Sequence, residues 1–282
     1  MTLTTTQSIL DQARDAGTAT GAFNVIHLET AEALVRAAED TGLAVILQLS
    51  ENCLRYHGAL EPLARATLAM AEASSARVAV HLDHAEDADL ALRAIDLGFS
   101  SVMYDGAKLD FADNVATTKR VVAAGDAAGV LVEAELGEIG GKDGAHAPGV
   151  RTDPAEAAQF VAETGVGALA VAVGSSHAMA ERTAVLDLDL IARLRDAVPV
   201  PLVLHGSSGV PDDTIVAGID AGLVKINVST HLNAFFTRAV RAHLDDHPAV
   251  VDSRKYIDAG RSAVVEEAAR LLQLFASPRR VG

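Results

Sequence analysis

Short apolar runs alternate with amphipathic stretches of helical period along the whole chain. The runs that read as strands are GAFNV (21–25), LAVILQLS (43–50), RVAVHLD (77–83), SSVMYDG (100–106), VLVEAELG (130–137), GALAVAVG (167–174), VPLVLHG (200–206) and VKINVS (224–229). Between them lie helical segments such as LETAEALVRAAEDTG and DADLALRAIDLG. TDPAEAAQFVAETG carries its own start signal: Asp153 as N-cap, Pro154 in the first turn and Glu156 completing a capping box. Several helices stop at a glycine (Gly42, Gly98, Gly129, Gly165, Gly222), as helix-to-strand turns prefer. Eight strand–helix units without a linker predict an α/β fold, a single (β/α)8 TIM barrel over residues 1–282. An open doubly wound sheet is the structural alternative. The glycine-rich stretch GEIGGKDGAHAPGV (137–150) reads as a mobile active-site loop, and 252–276 as a C-terminal helical extension.

Composition narrows the class. The chain has 282 residues, half of them apolar and only 4% aromatic, which suits helices packed over buried parallel strands. A formal net charge of −15 argues against nucleic-acid or anionic-membrane partners. The lone Cys53 excludes a disulfide framework and a Cys-rich zinc site. With no apolar stretch of membrane-spanning length and no leader-like start, a cytoplasmic protein is expected.

Barrel chemistry gathers where strands end. HLDHAED (81–87) ends the third strand, EAELG the fifth, VGSSH the sixth, LHG the seventh and INVST the eighth. His84, His177 and His205, with Glu135, therefore fall at one mouth. Imidazoles converging on one point are what a three-His zinc site with an open position requires, and such a site stabilises an oxyanion. His81 shares a face with Asp83 and reads as a supporting or packing residue, whereas His84 points elsewhere unless the strand has ended. HGSSG (205–209) offers backbone N–H groups to an anion. In KINVST, Asn227 and Ser229 share a face, a costly placement unless a ligand meets them.

Taken in order and spacing, GAFNV, HLDHAED, VEAELGEIGG, VAVGSSHA, LVLHGSSG, KINVST and DSRKYIDAGRSAV resemble the class II, zinc-dependent ketose-bisphosphate aldolases over nearly the whole chain. The resemblance is nearest to the shorter fructose- or tagatose-bisphosphate branch. It implies that His84, His177 and His205 bind one catalytic Zn2+ and that Asp83 moves the proton on the C4 oxygen. Glu135 matches a carboxylate near the metal. Gly206, Ser208, Asn227 and Thr230 match positions that hold the dihydroxyacetone-phosphate half, and Ser229 sits among them where relatives vary. Asn24 and Ser50 match further polar positions of the site. Arg254 or Arg261 would bind the distal phosphate across a subunit interface, in a homodimer or homotetramer. A monovalent cation, Na+ or K+, would sit near the phosphate. The implied substrate is a phosphorylated sugar: fructose 1,6-bisphosphate, tagatose 1,6-bisphosphate or a related sugar phosphate.

Three departures from the family pattern stand out. HAMAER (177–182) replaces the usual HGxYK, so Ala178 adds a methyl and Glu181 stands where relatives carry a cation, unless Arg182 turns in. The loop carboxylate aligns with Asp143, one methylene shorter than the usual Glu, with Glu138 as a substitute. His146 has no counterpart. An imine-forming role for Lys225 is weighed against its place at the start of its strand. A non-catalytic metal- or sugar-phosphate-binding barrel is the alternative from another class, and a zinc hydrolase a third.

Overall fold

A computed structural model of the chain describes residues 3–136, 151–176 and 181–277. Its elements run α1 (Thr6–Ala16), β1 (Thr20–Asn24), α2 (Leu28–Thr41), β2 (Val45–Ser50), α3 (Glu51–His57), α4 (Glu61–Ala73), β3 (Val78–Ala85), α5 (Ala88–Asp96), β4 (Ser101–Tyr104) and α6 (Phe111–Ala128). They continue with β5 (Leu131–Leu136), α7 (Pro154–Thr164), β6 (Ala168–Val171), α8 (Leu188–Ala197), β7 (Leu202–Leu204), α9 (Asp212–Ala221), β8 (Leu223–Val228), α10 (Thr230–Asp246) and α11 (Ser253–Phe275). Each strand pairs in parallel with the next, and β1 pairs with β8, so the sheet closes into an eight-stranded barrel. That closure excludes the open doubly wound sheet.

The strands differ from the apolar runs at their ends for local reasons. β6 and β7 end at Val171 and Leu204, short of the glycines that close their runs, Gly174 (φ 122°) and Gly206 (φ 66°), which lie outside the extended region. β3 instead runs two residues past Asp83, through an irregularity in its pairing with β4 between Leu82 and Ala85.

Alternation sorts each strand into two cores. Outward side chains, among them Leu47, Leu82, Val102, Val132, Leu169 and Ile226, pack against the helices in one large cluster. Inward ones (Ala22, Ile46, Ala79, Met103, Ala168, Ala170, Val203) fill the lower lumen, which Ile9, Leu10 and Ala13 of α1 close from beneath. Each fully buried aliphatic side chain contributes roughly 1.5–3 kcal/mol. Further along the same inward faces the residues turn polar: Gln48, His81, Asp83, Glu133, Glu135, His205, Lys225 and Asn227 are all buried. Register places Gln48 beside His81, Ser50 beside Asp83 and Ala22 beside Asn227, so these groups form layers.

Helix ends follow the sequence signals. Asp153 Oδ1 accepts hydrogen bonds from the Ala155 and Glu156 amides, and Pro154 opens α7. α11 returns to the barrel, where Phe275 packs its ring against Phe23 of β1 and its carbonyl accepts from the Ala19 amide. Among the described residues no helix is long and apolar enough to cross a membrane.

Candidate active site

The site is assembled at the end of β3 by a break in alternation. Ala79, His81 and Asp83 point inward at successive alternate positions. His84 would then face outward, but its backbone takes φ 50°, the left-handed region that costs a non-glycine residue roughly 1–3 kcal/mol. That turn delivers the imidazole to the same mouth as Asp83, with His84 Nε2 3.9 Å from Asp83 Oδ1.

Asp83 is fixed by amides. Asn24 Nδ2 donates to Oδ2 at 3.2 Å and Asn227 Nδ2 to Oδ1 at 3.3 Å. Gln48 Nε2 in turn donates to Asn24 Oδ1 at 2.8 Å, orienting the amide that holds the carboxylate. Two buried amide oxygens, Gln48 Oε1 and Asn227 Oδ1, have no hydrogen-bond partner among the described residues. Both residues line the cavity, and two unsatisfied buried acceptors beside it are a costly arrangement in a purely structural site.

The two described histidines of the mouth are oriented by carboxylates on their far sides. His84 Nδ1 lies 2.9 Å from Asp105 Oδ2 and 4.0 Å from Glu135 Oε2. His205 Nε2 lies 2.9 Å from Glu133 Oε1. Protons assigned by these partners sit on His84 Nδ1 and His205 Nε2. The remaining lone pairs, on His84 Nε2 and His205 Nδ1, then face each other at 2.7 Å. Two imidazole lone pairs so close repel unless they share an electrophile, and neutral imidazoles backed by carboxylates are a metal-ligating arrangement. Asp83, His84 and His205 each offer one ligand atom within 4.8 Å of the others, as do His84, Asp105 and Glu135. The donor set fits a divalent cation.

Beneath them, His81 Nδ1 lies 2.8 Å from Ser101 Oγ, and Lys225 Nζ pairs with Glu133 Oε2 at 2.7 Å. Burial, reinforced by the positive charge of Lys225, holds the His81 imidazole well below its usual range and hence neutral. Lys225 lies under the cavity and does not line it, which removes the geometry an imine-forming lysine needs.

The cavity holds about 270 Å³. One wall is the turn after β7 and the start of α10: Gly206, Ser207, Ser208, Asn227, Ser229 and Thr230. Gly206 is required twice over, by its positive φ and because a Cβ there would lie 2.6–2.9 Å from the Ser176 backbone. Ser208 Oγ accepts from the His231 amide at 3.2 Å, tying the turn to α10. The opposite wall is Ser50 with Glu51, Asn52 and Arg55 of α3, closed by Glu86. Ser50 Oγ caps α3 through the Cys53 amide, and Arg55 bonds Glu51 Oε1 at 2.6 Å.

The structure therefore brings together Asn24, Ser50, Asp83, His84, His205, Gly206, Ser208, Asn227, Ser229 and Thr230 around one cavity, with Glu135 buried behind His84. Arg254 and Arg261 stand apart on α11. Arg254 is 89% exposed and pairs with Asp252, while Arg261 pairs with Glu32 and Asp258. Arg182 does not turn in either: its guanidinium bonds the Val210 carbonyl and Asp212. Glu181 is exposed. His177, Ala178, Asp143, Glu138, His146 and the loop 137–150 lie outside the described residues.

Several site residues outside the predicted set also carry signals in the sequence. Glu133 shares its inward face with Glu135 by the period of two. Asp105 ends the fourth strand run just as Asp83 ends the third, and Gln48 precedes Ser50 by two. Arg55 had no such signal, since its place depends on how α3 leaves Ser50.

The family model for class II fructose-bisphosphate aldolase matches residues 4–280. The fructose-bisphosphate aldolase of Thermus caldophilus is 39% identical over an alignment of 305 positions, gaps included, covering 99% of each chain. That of Geobacillus stearothermophilus is also 39% identical, covering 94% of this chain and 93% of its own. Among solved structures, the YdjI aldolase of Escherichia coli K12 superposes with a TM-score of 0.86 at 32% identity, covering 98% of each chain. A closed barrel, a mouth of carboxylate-backed imidazoles and these whole-length matches agree: the chain belongs to the class II fructose-bisphosphate aldolase family, metal-dependent carbon–carbon lyases.

Proposed function

We propose that this family member is a zinc-dependent aldolase that reversibly cleaves a phosphorylated ketose into dihydroxyacetone phosphate and an aldehyde. The substrate is fructose 1,6-bisphosphate, tagatose 1,6-bisphosphate or a related sugar phosphate. The observation that carries the reading is Asp83: a carboxylate gripped by two amides, 3.9 Å from an imidazole nitrogen whose proton is drawn to the other side of its ring.

In the cleavage direction Asp83 takes the proton of the C4 hydroxyl, the C3–C4 bond breaks, and its electron pair passes to the ketose carbonyl as an enediolate. A positioned base of this kind contributes about 10²–10⁴-fold. His84 and His205, with His177 as the third imidazole, would hold zinc, which when bound stabilises the negative charge developing on the ketose oxygens. Glu135 and Asp105 keep His84 oriented from behind. Asp143 of the loop, or Glu138 in its place, completes the acid–base set.

The wall of Gly206, Ser208, Asn227, Ser229 and Thr230 takes the phosphate of the dihydroxyacetone half, with a Na+ or K+ ion beside it. At the other end, Arg55 is the one Arg or Lys among the described lining residues and meets the distal phosphate from within the chain. Arg254, exposed at the start of α11, would reach a neighbour's cavity in a homodimer or homotetramer.

Asp83→Ala tests this reading. Turnover on fructose and tagatose 1,6-bisphosphate should fall by orders of magnitude while zinc content stays at the wild-type level. Full activity in that variant would refute the assignment. A panel of ketose phosphates then identifies the substrate and its stereochemistry at C4.

A further inference from the structure

Directly above a lower lumen filled by Ala, Ile, Leu, Met and Val side chains, the buried polar layer holds a Lys–Glu ion pair, 0% and 1% exposed. Buried pairs of this kind are often replaceable by apolar residues at no loss of stability, so packing alone does not account for it. What the pair touches does. Glu133 spans two partners, Lys225 Nζ on Oε2 at 2.7 Å and His205 Nε2 on Oε1 at 2.9 Å. Lys225 Nζ also lies 3.5 Å from His81 Nε2, and His81 bonds Ser101, whose Oγ is 2.7 Å from Thr6 Oγ1 in α1. A polar chain thus runs from the floor of the barrel to the mouth.

We propose that Glu133, anchored by Lys225, is a positioning residue for His205: it accepts a hydrogen bond from Nε2–H and so presents the Nδ1 lone pair to the metal. This rests on the reading of His205 as a zinc ligand. The logic is directional. A lysine ammonium can only donate, so the oxygen facing it must accept, and a carboxylate alone has a second acceptor left for His205. Orienting partners behind ligating histidines typically change metal affinity about 10- to 100-fold.

The pair can be tested by swapping donors for acceptors. In Glu133→Gln the amide oxygen stays on Lys225, so the NH2 group faces His205 and donates to Nε2. The imidazole must then carry its proton on Nδ1, pointing at the metal. Zinc affinity, measured by competition with a chromophoric chelator, should weaken about 10- to 100-fold. In Glu133→Gln/Lys225→Met the amide is released to rotate, its oxygen again accepts from Nε2, and zinc affinity should return to within a few-fold of wild type. Equal weakening in both variants, or none in Glu133→Gln, would overturn the proposal.

An independent readout uses the zinc-loaded wild-type enzyme and survives any failure of the variants to fold. Imidazole ¹⁵N shifts, with the His205 signals identified by their loss in His205→Asn, should show Nε2 protonated and Nδ1 ligating. A proton on Nδ1 sinks the inference. Wild-type protein that binds no zinc refutes the metal reading itself, whereas wild type and Glu133→Gln binding zinc equally refute only the role of Glu133.

Discussion

Asp83 and Arg55 line the same cavity, yet they are held in opposite ways. Asp83 is 4% exposed, sits on a barrel strand and accepts from two amides that are themselves braced. The Arg55 side chain is 62% exposed, sits on a seven-residue helix and shares its guanidinium with Glu51 and Asn52, its own neighbours in sequence. The floor of the cavity is thus over-determined by contacts between different strands, and the rim is adjustable. An aldolase gains from that division: bond cleavage needs fixed geometry, whereas the aldehyde end decides only which substrate enters.

The largest effect should come from the floor. Stripping the metal with a chelator should reduce cleavage to background, and zinc should restore it. Chelator-resistant turnover would mean that the facing lone pairs of His84 and His205 serve something other than a metal. Next in size is Gly206→Ala. The new Cβ would meet Ser176 backbone on a residue already at φ 66°, with no flexible side chain to yield. A loss of about 2–4 kcal/mol in denaturant unfolding is expected, together with weakened phosphate binding. A variant as stable as wild type would show that the turn after β7 is not held as tightly as the strands beneath it.

How the floor reads in the sequence shows what alternation can and cannot give. Asp83, His205 and Asn227 were legible because an acidic, imidazole or amide group at the end of an apolar run has few inexpensive places to go. Eight runs with helical stretches between them likewise predicted the barrel. His84 was legible as a residue but not in its direction, because a left-handed turn at a non-glycine position leaves no mark in the hydropathy pattern. Glu133 and Asp105 are not legible as site residues: each meets a histidine more than 20 residues away in sequence, a relation that only the barrel's closure creates. The α11 arginines show the reverse. Their motif is plain, but within one chain the fold pairs them with Asp252, Glu32 and Asp258.

Behind the wall of Gly206, Ser208 and Thr230 lies a brace. His231, next to Thr230, bonds Glu267 of α11 at 2.6 Å, and Glu267 also pairs with Arg270. Although burial opposes it, hydrogen bonds from Arg270 and His231 hold the Glu267 carboxyl down at about 2. A depressed carboxyl contributes stability above its unfolded value of 4.5, and that contribution is lost as pH falls from there through about 2. Glu267→Gln should therefore cost about 1–3 kcal/mol at neutral pH, and the gap to wild type should close in acid. A gap that stays constant from pH 7 to pH 2.5 would show that the brace is not electrostatic.

The smallest effect, and the one that most sharpens the contrast, belongs to the rim. Arg55→Met keeps the length of the side chain and removes its charge. Because its ion pair with Glu51 is exposed, stability should change by no more than about 0.5 kcal/mol. A hydrogen bond from a guanidinium to phosphate contributes about 1.5 kcal/mol even when partly solvated, which corresponds to about tenfold in KM. That rise should appear with a bisphosphate substrate and vanish with one whose aldehyde half carries no phosphate, while kcat stays within about twofold on both. Equal effects on the two substrates would place Arg55 in the general architecture of the mouth, leaving the distal phosphate to Arg254 of a neighbouring subunit. A fall in kcat alone would make the rim part of the chemistry, and the division between a fixed floor and an adjustable rim would no longer hold.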